Sequence, residues 1–307
     1  MSGESAAELL ARKGYRTRDV YRPKSFDVES GQLRHSFRWL MDYYSYYKRC
    51  KAISKVILDE NEGLVISDED FAAIAIAEEK SRRRVIITDI TETHFTTGAA
   101  SIMERKMNKT MQKMMERCDR VIIPDSGQDA ANIVHVGPIV RRASTDRDSL
   151  RKSLGFTKKT IVLSVGGTDA GKYLIEKTLE AYRKLQGRLD AELVIVSGPS
   201  IKLPDMSDYR NLGFVENLHE LIYASDLVVS LAGKSTMDES VAYGTPGIFI
   251  PIRDHFEQER GAARLGYEYS DINRLETLIE EKLGNRNNSA DAKGAERAAK
   301  IISNLSN

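Results

Sequence analysis

The chain has 307 residues, 41% of them hydrophobic and 30% charged. That balance belongs to a folded globular protein of about two domains and excludes the disordered and fibrous classes. A formal net charge of +1 leaves no bulk electrostatic case for nucleic acid. Cys50 and Cys118 stand in neither metal nor redox spacing and read as two reduced thiols. The longest apolar run, around Phe71 to Ala77, falls far short of the roughly 20 residues that span a bilayer. Met1 is followed by polar residues, which predicts no signal peptide. The expected location is cytoplasmic, with room for a peripheral place on the inner face of the membrane.

In chain order, the first marked segment is aromatic and basic: Phe37-Arg38-Trp39-Leu40-Met41, then Tyr43-Tyr44-Ser45-Tyr46-Tyr47-Lys48-Arg49. It suits either a membrane interface with a lipid phosphate or an amphipathic pair packing its aromatics inward. Leu64-Val65-Ile66 reads as a buried strand, and Asp70 to Lys80 as a helix. Asp68-Glu69-Asp70 is an acid-rich helix N-terminus rather than a metal site. Val85-Ile86-Ile87 is the next strand, with Asp89 at its end and Glu92 and His94 just beyond. Strand ends of this kind collect ligand-facing residues in α/β sheets. Ser101 to Arg117 reads as a helix carrying Arg105, Lys106, Lys109, Lys113 and Arg117, and Val121-Ile122-Ile123 as a strand.

A boundary falls near Gly137-Pro138-Ile139-Val140-Arg141-Arg142, and a polar stretch follows. Strands resume at Ile161 to Val165, Leu193 to Val196, Leu227 to Ser230 and Gly247 to Ile250. Tyr173 to Leu185 and Ser235 to Tyr243 lie between them as helices. The tail ends in a helical pattern of Ala298, Ile301, Ile302 and Leu305. Alternation of this kind predicts an α/β fold with parallel sheets. The expected organisation is an N-terminal domain over residues 1–142, a linker over 143–159 and a C-terminal domain over 160–307.

Two features of the C-terminal domain carry chemistry. Ile161 to Val165 runs into Gly166-Gly167-Thr168-Asp169-Ala170-Gly171 and then a helix. Glycines let a backbone approach a phosphate, and a helix start favours an anion. The loop is neither a Walker A nor a dinucleotide fingerprint, and a plain tight turn is an equal reading. The second feature is longer. Gly213-Phe214-Val215-Glu216 precedes the strand Leu227 to Ser230, and Ala232-Gly233-Lys234-Ser235-Thr236 opens a helix. Glu239 follows one turn beyond Ser235, then Gly244-Thr245-Pro246 and Glu257-Gln258. A carboxylate at Glu239 can accept two hydrogen bonds from a ribose diol.

This ordered series resembles the donor-binding domain of glycosyltransferase family 28, the family of MurG, and the archaeal MurG-like proteins are closer still. The resemblance runs from about Gly137 to Leu265 and more weakly into the N-terminal domain. It implies a GT-B architecture: two Rossmann-like domains with parallel sheets facing across a cleft, the first acceptor-side and the second binding the nucleotide-sugar. By resemblance Phe214 and Val215 hold the base and Glu239 the ribose. Arg141, Gly166, Gly167, Thr168, Ala232, Gly233, Lys234, Ser235 and Thr236 surround the diphosphate. Glu257 and Gln258 face the sugar. The family often has Asn where this chain has Gly261.

The family's N-terminal domain opens with a strand and a glycine-rich loop ending in His. Here Ser2-Gly3-Glu4-Ser5 matches the end of the second strand and Ala6 to Lys13 the helix after it. By that measure roughly 30–40 residues of a βαβ opening are missing and the N-terminal domain is incomplete. With the family His absent, Asp89, Glu92 and His94 are the candidates for catalysis. The implied activity is inverting, metal-independent transfer of a hexose or N-acetylhexosamine, GlcNAc first, from a UDP-sugar. The acceptor is a polyprenyl-linked sugar or another saccharide. No cofactor is expected, and the partners are the UDP-sugar, that acceptor, an anionic membrane surface and a second subunit supplying the missing loop. Two rivals share the fold: a UDP-sugar 2-epimerase or nucleotide-sugar hydrolase, and a non-catalytic donor-binding subunit.

Overall fold

The computed structural model describes residues 7, 10–17, 28, 29, 31–33, 37–96, 98, 100–166, 171–204 and 206–306. The chain divides into two compact units. One comprises Met1–Ser25, His35–Gly137 and Gly294–Asn307; the other comprises Phe26–Arg34 and Pro138–Lys293.

The second unit is built on a five-stranded sheet, β7 (Lys159–Ser164), β8 (Ala191–Val196), β9 (Arg210–Asn211), β10 (Leu227–Leu231) and β11 (Gly247–Ile250). The strands lie in the order β11-β10-β7-β8-β9, all parallel. Parallel sheets must be covered on both faces, and the strands are accordingly apolar throughout. One face buries Ile161, Leu163, Leu193, Ile195 and Val229 with Leu174, Ile175 and Leu185 of α5 (Lys172–Leu185) and Leu275, Leu278 and Ile279 of α9 (Leu275–Lys282). The other buries Val162, Val194 and Val196 with Leu221 and Ala224 of α6 (Leu218–Ala224). Two further helices, α7 (Lys234–Tyr243) and α8 (Phe256–Arg264), follow β10 and β11. A short antiparallel pair, β1 (Val28–Glu29) with β2 (Gln32–Leu33), also belongs to this unit, and the Arg253 N–H donates to the Gly31 carbonyl at 2.8 Å.

Residues 143–159, read from sequence as a linker, contain α4 (Arg147–Leu154) and belong to the second unit. Asp146 caps its start by accepting from the Ser149 N–H, and Gly155, with φ of 70°, ends it in the left-handed conformation. Leu150 and Phe156 pack beneath Val162 and Val194, and Asp226 accepts from Arg147 and Arg151 at 2.7 and 2.8 Å.

The first unit holds a four-stranded parallel sheet, β3 (Val65–Asp68), β4 (Arg84–Ile87), β5 (Arg120–Ile123) and β6 (Ile133–His135), in that order. One face packs on α2 (Phe71–Glu79) and α3 (Ala100–Glu116) through Phe71, Ile74, Met111 and Met115. The 24-residue helix α1 (Phe37–Glu60) adds Tyr47 to that cluster, while its Met41 and Tyr44 face outward. The side chains of Phe37, Arg38, Trp39, Leu40 and Tyr43 lie outside the described residues.

The tail helix α10 (Gly294–Ser306) groups with the first unit. Its Ala298, Ile301, Ile302 and Leu305 cover Val85, Ile122 and Val136, the remaining face of the first sheet. The apolar stripe is what sequence shows; which sheet it covers is decided by the face left bare. Among the described residues no helix is long and apolar enough to cross a membrane.

Candidate functional site

The order β11-β10-β7-β8-β9 reverses direction between β7 and β10. In open α/β sheets ligands bind beyond the strand C-termini at such a switch point. Ser164 and Ser230 are register partners there, so the two glycine segments leave the sheet side by side. After β7 the chain turns at Gly166, with φ of 78°. Gly171 opens α5 so close to the strand that an added Cβ would fall 2.2 Å from the Cβ of Val165 and 2.9 Å from its carbonyl oxygen. Gly167 and Thr168 lie outside the described residues.

After β10 the chain passes buried Ala232 and then Gly233, which caps α7 with no side-chain hydrogen bond. The first N–H groups of a helix have no internal acceptor, and with the helix dipole they favour an anion. Ser235 is exposed there and Thr236 half-buried. Lys234 donates to Asp238 at 2.8 Å, so its charge is already engaged on its own helix.

Glu239 lies in the second turn of α7 and is only 2% exposed. Arg141 Nε donates to its Oε1 at 2.9 Å and Nη2 to Oε2 at 3.5 Å, while Nη1 donates to the Glu216 carbonyl at 2.9 Å. The Tyr243 hydroxyl donates to the Arg141 carbonyl. Burial and the charge of Glu239 push the Tyr243 phenol up to about 12. His219 is buried beside this group, and among the described residues its Nδ1 has no hydrogen-bond partner. Burial, and then the Arg141 charge, hold its pKa below the usual histidine range. Sequence does not single out His219 and Tyr243: Tyr243 stands one helical turn from Glu239, but its partner Arg141 lies 102 positions away.

Phe214 follows Gly213 (φ of 60°) and is 62% exposed, while Val215 packs against the Leu221 face. Beyond β11, the Ile252 N–H donates to Gln258 Oε1 at 3.0 Å and the Asp254 N–H to Glu259 Oε1 at 2.9 Å. These bonds hold the 252–255 turn, where Asp254 takes φ of 64°. Gln258 is thus tied to backbone, and Glu257 is half-buried beside it. A Cβ at Gly261 would meet only the flexible end of the Met237 side chain, its Cε at 2.6 Å, which can turn aside. A pocket of about 500 Å³ lined by Val241, Leu265, Tyr267 and Glu281 lies against Gly247, at the opposite ends of the strands.

In the first unit, Asp89 follows β4 and is half-buried, whereas Glu92 and His94 are exposed and 3.7 Å apart. The loop carrying them is held from α3. Asn108 Oδ1 accepts from the Thr93 N–H at 3.1 Å, and Glu104 accepts from Phe95 and Thr96. Partial desolvation, then the charge of Asp89, raises the Asp68 pKa. Asp70 accepts the Ala72 N–H at 2.9 Å as the N-cap of α2.

Residues 161–305 match the glycosyltransferase family 28 C-terminal domain. The second half of the chain thus carries a domain of the glycosyltransferase family 28 type. An uncharacterized glycosyltransferase of Methanopyrus kandleri is 28% identical over 285 residues, 84% of this chain and 80% of that one. A UDP-N-acetylglucosamine--N-acetylmuramyl-(pentapeptide) pyrophosphoryl-undecaprenol N-acetylglucosamine transferase of Caldicellulosiruptor saccharolyticus is 29% identical over 117 residues, 35% of this chain. The match spans only 32% of that transferase, and 46% of a similar uncharacterized glycosyltransferase of Methanosarcina acetivorans. Among solved structures, the glycotransferase of kitacinnamycin superposes with a TM-score of 0.61 at 14% identity, covering 99% of this chain and 86% of its own. That likeness places the two-unit α/β fold with the GT-B glycosyltransferases.

Proposed function

We propose that this chain transfers a sugar, GlcNAc in the first instance, from a UDP-sugar to a lipid-linked or other saccharide acceptor, with inversion and without a metal. The observation that carries the reading is Glu239: a buried carboxylate at the β7–β10 switch point, one turn past an uncapped helix start. The helix start receives the diphosphate, the carboxylate receives the ribose hydroxyls, and the exposed Phe214 ring offers a face for the base. The similarity to the Caldicellulosiruptor transferase supports UDP-GlcNAc as donor.

In the reaction an acceptor oxygen attacks the anomeric carbon as the bond to the diphosphate breaks. UDP leaves with the electron pair, and the acceptor proton passes to a base. Asp89, which is half-buried, is the base we favour over Glu92 and His94, which are more exposed. The backbone N–H groups of α7 take the charge that develops on the leaving diphosphate. Arg105, Lys106, Lys109 and Lys113 lie exposed along α3 with Ile102, which is 65% exposed, and Met103. This mixture supports a lipid acceptor presented at an anionic membrane surface.

The test is UDP release from UDP-GlcNAc, with and without a polyprenyl-pyrophosphate-linked sugar. Release that depends on the acceptor supports the proposal. Acceptor-independent release with free sugar makes the protein a hydrolase, and conversion of the donor to its 2-epimer makes it an epimerase. Binding without turnover leaves a donor-binding subunit.

A further inference from the structure

We infer that Arg141 is a positioning residue for nucleotide recognition: it holds and aims the buried Glu239 carboxylate, with one acceptor site left on each oxygen for a ribose hydroxyl. The inference rests on the reading of Glu239 as the ribose acceptor.

A carboxylate as buried as Glu239 is costly unless paired. Among the described residues Arg141 is the cation hydrogen-bonded to it. A carboxylate offers about four acceptor sites. The two guanidinium bonds, 2.9 Å to Oε1 and 3.5 Å to Oε2, occupy two of them, one per oxygen. Among the described residues two sites remain open, which is what a cis-diol requires.

The guanidinium is itself fixed. Nη1 is held by the Glu216 carbonyl, and the Arg141 backbone carbonyl by the Tyr243 hydroxyl, one helical turn beyond Glu239. One planar cation therefore ties together α7, the segment before α6 and the chain entering the second unit. Lysine, a point charge without the fork, cannot hold Glu239 and the Glu216 carbonyl together as well. The pairing also fixes the carboxylate in the site before any nucleotide arrives, so the geometry is set without cost at the moment of binding.

The experiment compares the Kd values of UDP and 2′-deoxy-UDP for the full chain, as wild type, Arg141→Gln, Arg141→Lys, Glu239→Gln and the Arg141→Gln/Glu239→Gln pair. The ratio of the two isolates the 2′-hydroxyl of the diol, because any contact to the base, the 3′-hydroxyl or the diphosphate is common to both ligands. Wild type is expected to favour UDP by about tenfold or more, the worth of a charge-assisted hydrogen bond. The preference should fall towards one in Arg141→Gln and in Glu239→Gln, drop no further in the pair, and return in part in Arg141→Lys. Arg141→Gln that weakens both nucleotides equally and keeps the preference overturns the inference, since a purely structural or phosphate-binding arginine behaves that way. Wild type that binds UDP without preferring it to the deoxy form overturns the role of Glu239. Wild type that binds neither nucleotide overturns the proposed function instead. Circular dichroism shows which variants are folded, and Arg141→Lys carries the test should Arg141→Gln fail to fold.

Discussion

Glu104 Oε2 on α3 accepts both the backbone N–H and the hydroxyl of Thr96, at 2.8 and 2.6 Å, and so clamps the loop that carries Glu92 and His94. Burial alone would raise the Glu104 pKa, but the bonds from Thr96 and Phe95 outweigh it and hold the group below its ordinary value. A carboxylate depressed on folding contributes stability above its unfolded pKa and loses it as pH falls through the folded value. Glu104→Gln should therefore destabilise the protein at pH 7 by about 1–3 kcal/mol. The difference from wild type should shrink towards pH 3. Chemical denaturation at the two pH values measures it, and an equal loss at both would contradict the ionic clamp.

Asp68 has the opposite sign. Partial desolvation and the Asp89 charge raise its pKa, although the residue is exposed, so its ionised form opposes folding weakly at neutral pH. That cost is absent below the unfolded carboxylate pKa and is complete above the folded one. Asp68→Asn should raise Tm at pH 7 and leave it unchanged near pH 3. A lower Tm at pH 7 would mean that Asp68 has a stabilising partner.

Asp226 joins three segments through Arg147, Arg151 and the Thr160 N–H. Its side chain is 14% exposed, so solvent does little to replace those bonds. Asp226→Ala should cost about 3–5 kcal/mol, the range for breaking a buried pair from one side. An unfolding midpoint within error of wild type would show that α4 docks through Leu150 and Phe156 alone.

Much of the second unit was legible in the residues. Runs such as Ile161 to Val165 and Leu227 to Ser230 are β-branched and apolar because both sheet faces are buried, and they mark strands to within a residue or two. The helix α4 was not found. Only Leu150 of it is buried, so its periodicity is faint, although Asp146 and Gly155 at its two ends were readable as caps. The pairing of Arg141 with Glu239, 98 positions apart, has no local signature; only the folded sheet brings the two together. The stripe on α10 was visible, but its partner was not, for the same reason.

Gly171→Ala tests the close approach of α5 to β7. An added Cβ, 2.2 Å from that of Val165, forces the helix start away from the strand. Overpacking of this kind costs about 1–3 kcal/mol, and it should weaken UDP binding along with lowering Tm. Val165→Gly in the same chain, which removes that Cβ, should restore part of both losses. No recovery in the double variant would mean that the collision with the Val165 carbonyl dominates.

The most direct measurement is the thermal unfolding of the full chain with and without UDP, beside Glu239→Gln. A ligand bound only by the folded state raises Tm, and at a hundred times Kd it adds about 2.7 kcal/mol. The account predicts a clear rise for wild type that is largely lost in Glu239→Gln. A cooperative transition that UDP leaves unmoved, or an equal rise in Glu239→Gln, would contradict a ribose-binding site at the β7–β10 switch point.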